Sequence, residues 1–352
     1  MTNTKEFILA SFLAFIASTL IALFLAPIAL KAGWKLGVTD QPESRKEHID
    51  TIVRSGGLAM VFSFIISTIA IYSFKDFLYL SYDNTIVNTI IISGLLIFLV
   101  GLTDDVFGLS PWPRLVFQIV IASYAWVNGI NINSIDISWL NGVNQDISIP
   151  IYLSYFITII WLVGSTNAIN WIDGLDGLAA GVVGISSFGV AVLSFYFGQL
   201  WPSIMASALA GSCLGFLKFN FYPSKIIMGD GGSYFLGFVL SSLTLIGLGY
   251  ENKSLYFHLS ILILFIPLFD MSRVILVRLI KGNSPFYPDR SHFHYALKRI
   301  GLSHQMSVIT IYYLDITFVC IAICFANITA GFYLFLLSCG TRSPEFTRDR
   351  KS

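Results

Sequence analysis

A chain of 352 residues could hold two or three soluble domains, yet 55% hydrophobic and 12% charged residues, with a mean hydropathy of +0.76, exclude that organisation. Apolar runs recur from one end to the other, which is the composition of a membrane protein. The formal charge of +1 is silent about partners, so only the distribution of charge carries information.

Runs of roughly 17–25 apolar residues predict spans near 7–30, 57–74, 85–102, 114–127, 150–163, 178–197, 202–217, 232–249, 256–278, 307–325 and 328–339. The expected fold is therefore all-α, a polytopic membrane helical bundle of about eleven transmembrane helices whose cytoplasmic loops form the site. Residues 1–339 read as one membrane-embedded domain and 340–352 as a short cytoplasmic tail. The first run is too long for a removable leader and lacks a basic start, so it reads as a retained span. Cys213, Cys320, Cys324 and Cys339 fall in apolar runs without metal-ligand spacing and read as small core residues.

With loops 31–56, 103–113, 164–177, 218–231, 279–306 and the tail on one side, that side holds eighteen of the twenty-one Lys and Arg; Lys5, Lys75 and Lys253 remain for the other. The positive-inside rule makes the richer face cytoplasmic and puts the amino terminus outside and the tail inside. Asp104, Asp105, Asp173, Asp176, Asp230 and Asp289, which played no part in that assignment, fall on the same face. So do His48, His292, His294 and His304.

Along that face, the first loop carries Arg45, Lys46, His48 and Arg54, suited either to a phosphate or to fixing topology. Asp104-Asp105 follow directly on an apolar run, where adjacent carboxylates raise one another's proton affinity unless a cation is near; a solvated turn is the plainer alternative. Arg114 beyond them either holds a phosphate or anchors the next span. The segment Asn167-Ala-Ile-Asn170-Trp-Ile-Asp173-Gly-Leu-Asp176-Gly puts four oxygen-bearing side chains between apolar runs, where uncompensated charge is costly. Such density suits a hard cation such as Mg²⁺, though Asp-Gly also simply turns a chain. Gly229-Asp230-Gly-Gly opens the eighth span with backbone N–H groups available to a phosphate, or as a plain helix cap. Asp270 stands three residues before Arg273, a spacing for a same-face ion pair. Asp289-Arg290-Ser-His292-Phe-His294-Tyr295, with Lys298 and Arg299 following, forms a cationic donor set for a diphosphate or a lipid-attracting cluster. Asp315 lies isolated in the tenth span.

Taken in order and on one face, Asp104-Asp105, Asn167 to Gly181, Met228-Gly-Asp-Gly-Gly-Ser and Asp289-Arg-Ser-His-Phe-His resemble the polyprenyl-phosphate N-acetylhexosamine-1-phosphate transferases. The likeness runs from the Asp40-to-Gly57 loop to Leu302. It implies a bacterial inner-membrane enzyme, dependent on Mg²⁺ or Mn²⁺, with a cytoplasmic site. The branch it resembles most moves N-acetylglucosamine 1-phosphate from UDP-N-acetylglucosamine to undecaprenyl phosphate, releasing UMP, at the start of O-antigen or related cell-surface glycan synthesis. The implied partners are these two substrates and the bilayer, with no nucleic acid; a homo-oligomer is left open. By motif, Asn170 and Asp230 would be metal ligands, and Asp104, Asp105, Asp173 and Asp176 catalytic. Arg45, Lys46, His48, Asn167, Arg290, His292 and His294 would bind substrate. One departure is Tyr295, where the family often has a further histidine.

The chemistry suits the layout. A polyprenyl phosphate keeps its headgroup at the interface while a nucleotide sugar arrives from the cytosol, and a divalent ion stabilises charge as one phosphate attacks the other. A CDP-lipid transferase is disfavoured because Asp176-Gly-Leu-Ala-Ala180 is not followed by the arginine that motif needs; residue 181 is glycine. The muramyl-pentapeptide phosphate branch remains the alternative within the family. A cation-coupled transporter is the alternative outside it, although transporter sites favour the bilayer midplane over span ends.

Overall fold

The computed structural model describes residues 4–40, 51–74, 84–137, 146–250, 254–284 and 290–340. Lipid offers no hydrogen bonds to a backbone, so the apolar runs close their own in helices. Twelve helices occur among the described residues: α1 Thr4–Leu36, α2 Gly56–Ser73, α3 Asn84–Phe107, α4 Pro111–Val127, α5 Ile151–Ile172, α6 Leu178–Tyr196, α7 Leu200–Asn220, α8 Gly229–Gly247, α9 Phe257–Ile263, α10 Phe265–Ile280, α11 Phe293–Arg299 and α12 His304–Gly340. Seven are long and apolar enough to cross a membrane, and α9 with α10 makes an eighth candidate bent by 77°. The 17-residue α4 and the glycine- and serine-rich α8 run among them. The chain is an all-α, multi-pass membrane protein.

Two expected helix limits move in ways that matter for the site. Hydropathy drops after Val163 and Leu102, but α5 continues to Ile172 and α3 to Phe107. Their last turns carry polar side chains that face protein rather than lipid, so hydropathy ends before the helix does. Asn167, Asn170, Asp104 and Asp105 are therefore helical residues and not loop residues.

A third correction concerns the end of the chain. The expected spans 307–325 and 328–339 are one helix, α12, because nothing between them breaks the backbone. At 37 residues it is about 55 Å long, well beyond a hydrocarbon core of about 30 Å. The cytoplasmic position expected for the tail rested on a separate eleventh span. Arg342, Arg348, Arg350 and Lys351 lie outside the described residues, and the expected orientation rests on the other fourteen Lys and Arg of the loop face.

The hub of the bundle is α8, buried along nearly its whole length against α2, α3, α5, α6 and α7. Close approach depends on missing side chains. A Cβ on Gly101 of α3 would lie 2.5 Å from the Asp230 carbonyl, and one on Gly57 of α2 would lie 2.7 Å from the Gly232 Cα. On the other side, a Cβ on Gly237 would come within 2.8 Å of the Thr166 Cα in α5. Such small-residue contacts let helices pack without help from water. They draw the ends of α3 and α5 onto the start of α8.

Short strands tie the loops at each end of the bundle. β1 (Thr39–Asp40) pairs antiparallel with β2 (Ile52–Val53) beside α1 and α2, and Val53 bridges to Ile226 just before α8. At the opposite end, β3 (Ser134–Asp136), β4 (Asp146–Ser148), β5 (Gly249–Tyr250) and β6 (Ser254–Leu255) form one sheet in the order β4-β3-β6-β5.

Candidate active site

The end of the bundle opposite the four-stranded sheet gathers the acids. Helix α8 begins there with backbone N–H groups that have no partner within the helix. Asp105, from the last turn of α3, supplies the acceptors: its Oδ1 takes the Asp230 N–H at 2.9 Å and its Oδ2 the Gly231 N–H at 3.0 Å. Gly229, at φ +73°, is required at this junction, since a Cβ would stand 2.5 Å from Asp105 Oδ2 and 2.6 Å from the Arg54 carbonyl. Of the two readings of these N–H groups, phosphate site or helix cap, the structure has the cap, supplied by the chain's own Asp105 carboxylate.

Arg54 completes the junction. Its Nε lies 3.4 Å from Asp105 Oδ1 and its Nη1 3.7 Å from Asp40 Oδ1. Asp104, one residue earlier, turns elsewhere, accepting the Leu109 N–H at 2.8 Å and an ion pair from Arg114 Nη1. The same Nη1 is 3.3 Å from the Tyr234 hydroxyl on α8. Each of the adjacent acids therefore has its own arginine, which relieves the repulsion that adjacency would otherwise impose.

From α5, Asn170 donates through Nδ2 to Asp230 Oδ1 at 2.8 Å and to Ser233 Oγ at 2.9 Å. Asp173 follows at the helix end. Enclosure by protein, and then the charge of Asp230, push its carboxyl up to about 7, while Arg54 pulls it down. Asn167 is not brought to this cluster by its amide donors, which go to Gln118 Oε1 at 2.7 Å and to the Val163 carbonyl at 2.8 Å. Asp176 turns to the segment before α8. It accepts the Ser224 N–H at 3.0 Å and so ties its loop to the turn before α8.

That loop is clamped at Gly177. Its N–H goes to Asn220 Oδ1 at 3.1 Å, and its carbonyl accepts the Tyr312 hydroxyl of α12 at 2.5 Å. Tyr312→Phe removes one arm of the clamp and is expected to lower stability by about 0.5–1.5 kcal/mol. Thermal unfolding in detergent checks it; an unchanged midpoint would show that Tyr312 contributes packing alone.

The last segment arrives through Asp270 on α10. Asp270 Oδ1 takes the Phe293 N–H at 2.6 Å at the start of α11, and Oδ2 meets His292 Nδ1 at 2.8 Å. The expected Asp270–Arg273 pair is replaced: Arg273 donates to the Ser291 carbonyl. His292 meets Trp171 edge to face at 6.4 Å, and the Arg278 guanidinium lies 5.1 Å from the centre of the same ring. Trp171 neighbours Asn170, so the segment docks beside the acids. Arg290 is exposed, and Arg45, Lys46, His48 and Asp289 lie outside the described residues.

His294 corrects the expected cationic donor set. It is buried, a Cβ on Gly174 would meet its ring at 2.5 Å, and neither ring nitrogen has a hydrogen-bond partner. Burial, followed by the neighbouring His292, lowers its pKa to about 3, so its imidazole is neutral at physiological pH. An unfolded chain takes up that proton near 6.5 while the folded one refuses it. The stability at stake is thus fully present above pH 6.5 and is lost as pH falls toward 3. Acidification below 6.5 is expected to cost up to about 1.4 kcal/mol per pH unit, and His294→Gln to flatten this slope. Melting curves at pH 7 and 5 check it, and equal losses in parent and variant would assign the slope to other groups.

Among the described residues, no three His, Cys, Asp or Glu form a ready-made metal cage. The donor set nevertheless fits Mg²⁺, which binds through one or two protein oxygens and completes its shell with water and substrate phosphate. Burial and then the charge of Asp230 raise the pKa of the Asp173 carboxyl, and Arg54 is already shared with Asp105 and Asp40.

The model of glycosyl transferase family 4 matches residues 87–248, the stretch from α3 to α8. A probable undecaprenyl-phosphate N-acetylglucosaminyl 1-phosphate transferase of Bacillus subtilis is 35% identical over 327 residues, covering 92% of this chain and 87% of the relative. The chain belongs to glycosyl transferase family 4. A decaprenyl-phosphate N-acetylglucosaminephosphotransferase of Mycobacterium tuberculosis is 32% identical over 81% of this chain and 75% of its own length. An undecaprenyl-phosphate alpha-N-acetylglucosaminyl 1-phosphate transferase of Escherichia coli O157:H7 is 28% identical over 84% and 78%. The resemblance read from the four motifs holds, and this family 4 chain is a membrane-embedded phosphotransferase.

Three parts of the site leave only faint marks in the sequence. Arg54 carries a usable signal, an arginine one residue removed from the Gly56-Gly57 pair that brings α2 against α8. Trp171 was hidden between two motif residues, and the role of Asp270 depends on a partner 22 residues away.

Proposed function

We propose that this enzyme transfers N-acetylglucosamine 1-phosphate from UDP-N-acetylglucosamine to undecaprenyl phosphate and releases UMP. The reaction takes place at the cytoplasmic face of a bacterial inner membrane, as the first membrane step of a cell-surface glycan. The observation that carries the reading is the Asp105 carboxylate bonded to the Asp230 and Gly231 N–H groups, which unites acid motifs 125 residues apart at the basic end of the bundle. The names of the relatives favour N-acetylglucosamine as the sugar.

Asp230 and Asn170 would hold Mg²⁺, with Asp173 beside them. Bound there, the ion supplies positive charge to the diphosphate of the sugar nucleotide. Asp105 and Asp104 orient Arg54 and Arg114, and these two guanidiniums are suited to phosphate oxygens at the interface. The lipid phosphate attacks the phosphorus that bears the sugar; the new P–O bond forms as the bond to UMP breaks. Direct attack is favoured over a carboxylate nucleophile at Asp105, because both its oxygens already accept backbone N–H groups. His292, anchored by Asp270 against Trp171, is the donor expected to contact the nucleotide sugar.

The test is an assay of membranes containing the chain with undecaprenyl phosphate, Mg²⁺ and a panel of radiolabelled UDP-sugars. Label from UDP-N-acetylglucosamine is expected in the lipid fraction. Transfer only from the muramyl-pentapeptide nucleotide, or from none, would overturn the reading.

A further inference from the structure

Among the described residues, Asp315 is the one acid buried within a long apolar helix that the site does not use. It lies on α12, fully buried, and its Oδ1 has no hydrogen-bond partner. An ionised carboxylate in that setting is costly, so its single contact has to be explained.

The explanation starts at Pro267. The carbonyl of Ile263 would ordinarily accept the N–H four residues ahead, but residue 267 is proline and has none. The helix breaks there, and α9 and α10 meet at 77°. Ser186 of α6 satisfies the freed carbonyl, its Oγ lying 2.9 Å from the Ile263 oxygen. The same Oγ is 3.3 Å from Asp315 Oδ2. A serine hydroxyl has one proton and two lone pairs. With the proton given to the shorter contact, the bond to Asp315 needs its proton from the acid. Phe318, one turn on, stacks with Phe265 at 4.0 Å and holds α12 against the first residue of α10.

We propose that Asp315 is a positioning residue: by donating a hydrogen bond to Ser186, it closes a three-helix knot at the Ile263 carbonyl that fixes the bend between α9 and α10. The bend decides where α10 points, and α10 carries Asp270, Arg273 and Arg278. These three hold His292, the Ser291 carbonyl and Trp171. The link to turnover rests on the nucleotide-sugar reading of the His292 segment, while the knot itself does not.

The test uses the full-length chain in nanodiscs, with its four cysteines replaced by serine and spin labels at two exposed positions, Ile261 on α9 and Ile280 on α10. Asp315→Ala and Ser186→Ala are expected to broaden the distance distribution between the labels. Asp315→Asn, which keeps a donor without a charge, is expected to preserve it. In the transfer assay, Asp315→Ala should reduce kcat/KM for UDP-N-acetylglucosamine roughly ten- to a hundredfold through KM, without raising the KM for undecaprenyl phosphate. Asp315→Asn should stay within about threefold of the parent. If Asp315→Asn broadens the distances as alanine does, or if both Asp315→Ala and Ser186→Ala leave them sharp, the knot is wrong. A broadened distribution with parental kinetics would overturn the positioning role. If Asp315→Ala does not fold, Ser186→Ala decides the matter. An inactive parent with the expected distance changes would refute the proposed reaction and leave the knot standing.

Discussion

Asp230→Asn is expected to lower Mg²⁺-dependent release of UMP, the proposed activity, by at least about a hundredfold while leaving the protein folded. The substitution keeps the shape of the side chain and an oxygen able to accept the Asn170 amide, now 2.8 Å from Asp230 Oδ1. The Asp105 bonds to the backbone of residues 230 and 231 also survive, because they do not involve the side chain. What would disappear is one negative charge at the point where the proposed reaction holds a divalent ion against the diphosphate. Loss of a single preorganised electrostatic partner typically costs about 10²–10³ in rate. Normal elution from a sizing column, paired with UMP release across a Mg²⁺ titration, separates loss of chemistry from loss of fold. Parental activity at low Mg²⁺ would remove Asp230 from the metal site.

Asp105→Ala acts in the opposite way, with its first effect on the fold. It strips the acceptors from two N–H groups at the start of α8, each costing about 1–3 kcal/mol when left buried and unpaired. It also takes the nearest carboxylate from Arg54, whose side chain is 28% exposed, so water recovers part of that loss. Because α8 is the hub, the penalty falls on the contacts with α2, α3 and α5 together. Asp105→Asn keeps one acceptor but turns an amide toward the other N–H, and its stability is expected between those of alanine and the parent. Thermal unfolding of the three proteins in one detergent checks the order. An alanine variant as stable as the parent would mean that Asp105 does not cap α8, and its bonding in the site would need another account.

The two substitutions distinguish acids that look alike in the sequence. Asp105 and Asp230 are both short acids in glycine-containing segments at span ends, yet the carboxylate of one completes a helix and that of the other meets the Asn170 amide. The difference lies in the direction of the side chain, which no local pattern records. The same holds for Asp176, whose Asp-Gly context matches that of Asp173 but whose carboxylate anchors the Ser224 turn. His294 is the clearest case. Beside Arg290, His292 and Lys298 it reads as one more cation, but burial against Gly174 makes it a neutral ring.

The sequence alone determined that this chain lies in a membrane, that most of its bases and its clustered acids share one face, and which motifs mark its family. Those properties follow from composition and from positions along one chain, and lipid and charge act on them directly. Only the tertiary structure decided that α5 and α3 run on into the site, that α12 is one helix, and that Asp105, Asp270 and Asp315 have structural partners. Each of those depends on groups brought together from distant segments by glycine-lined helix contacts or by a proline-freed carbonyl, and hydropathy averages such long-range geometry away.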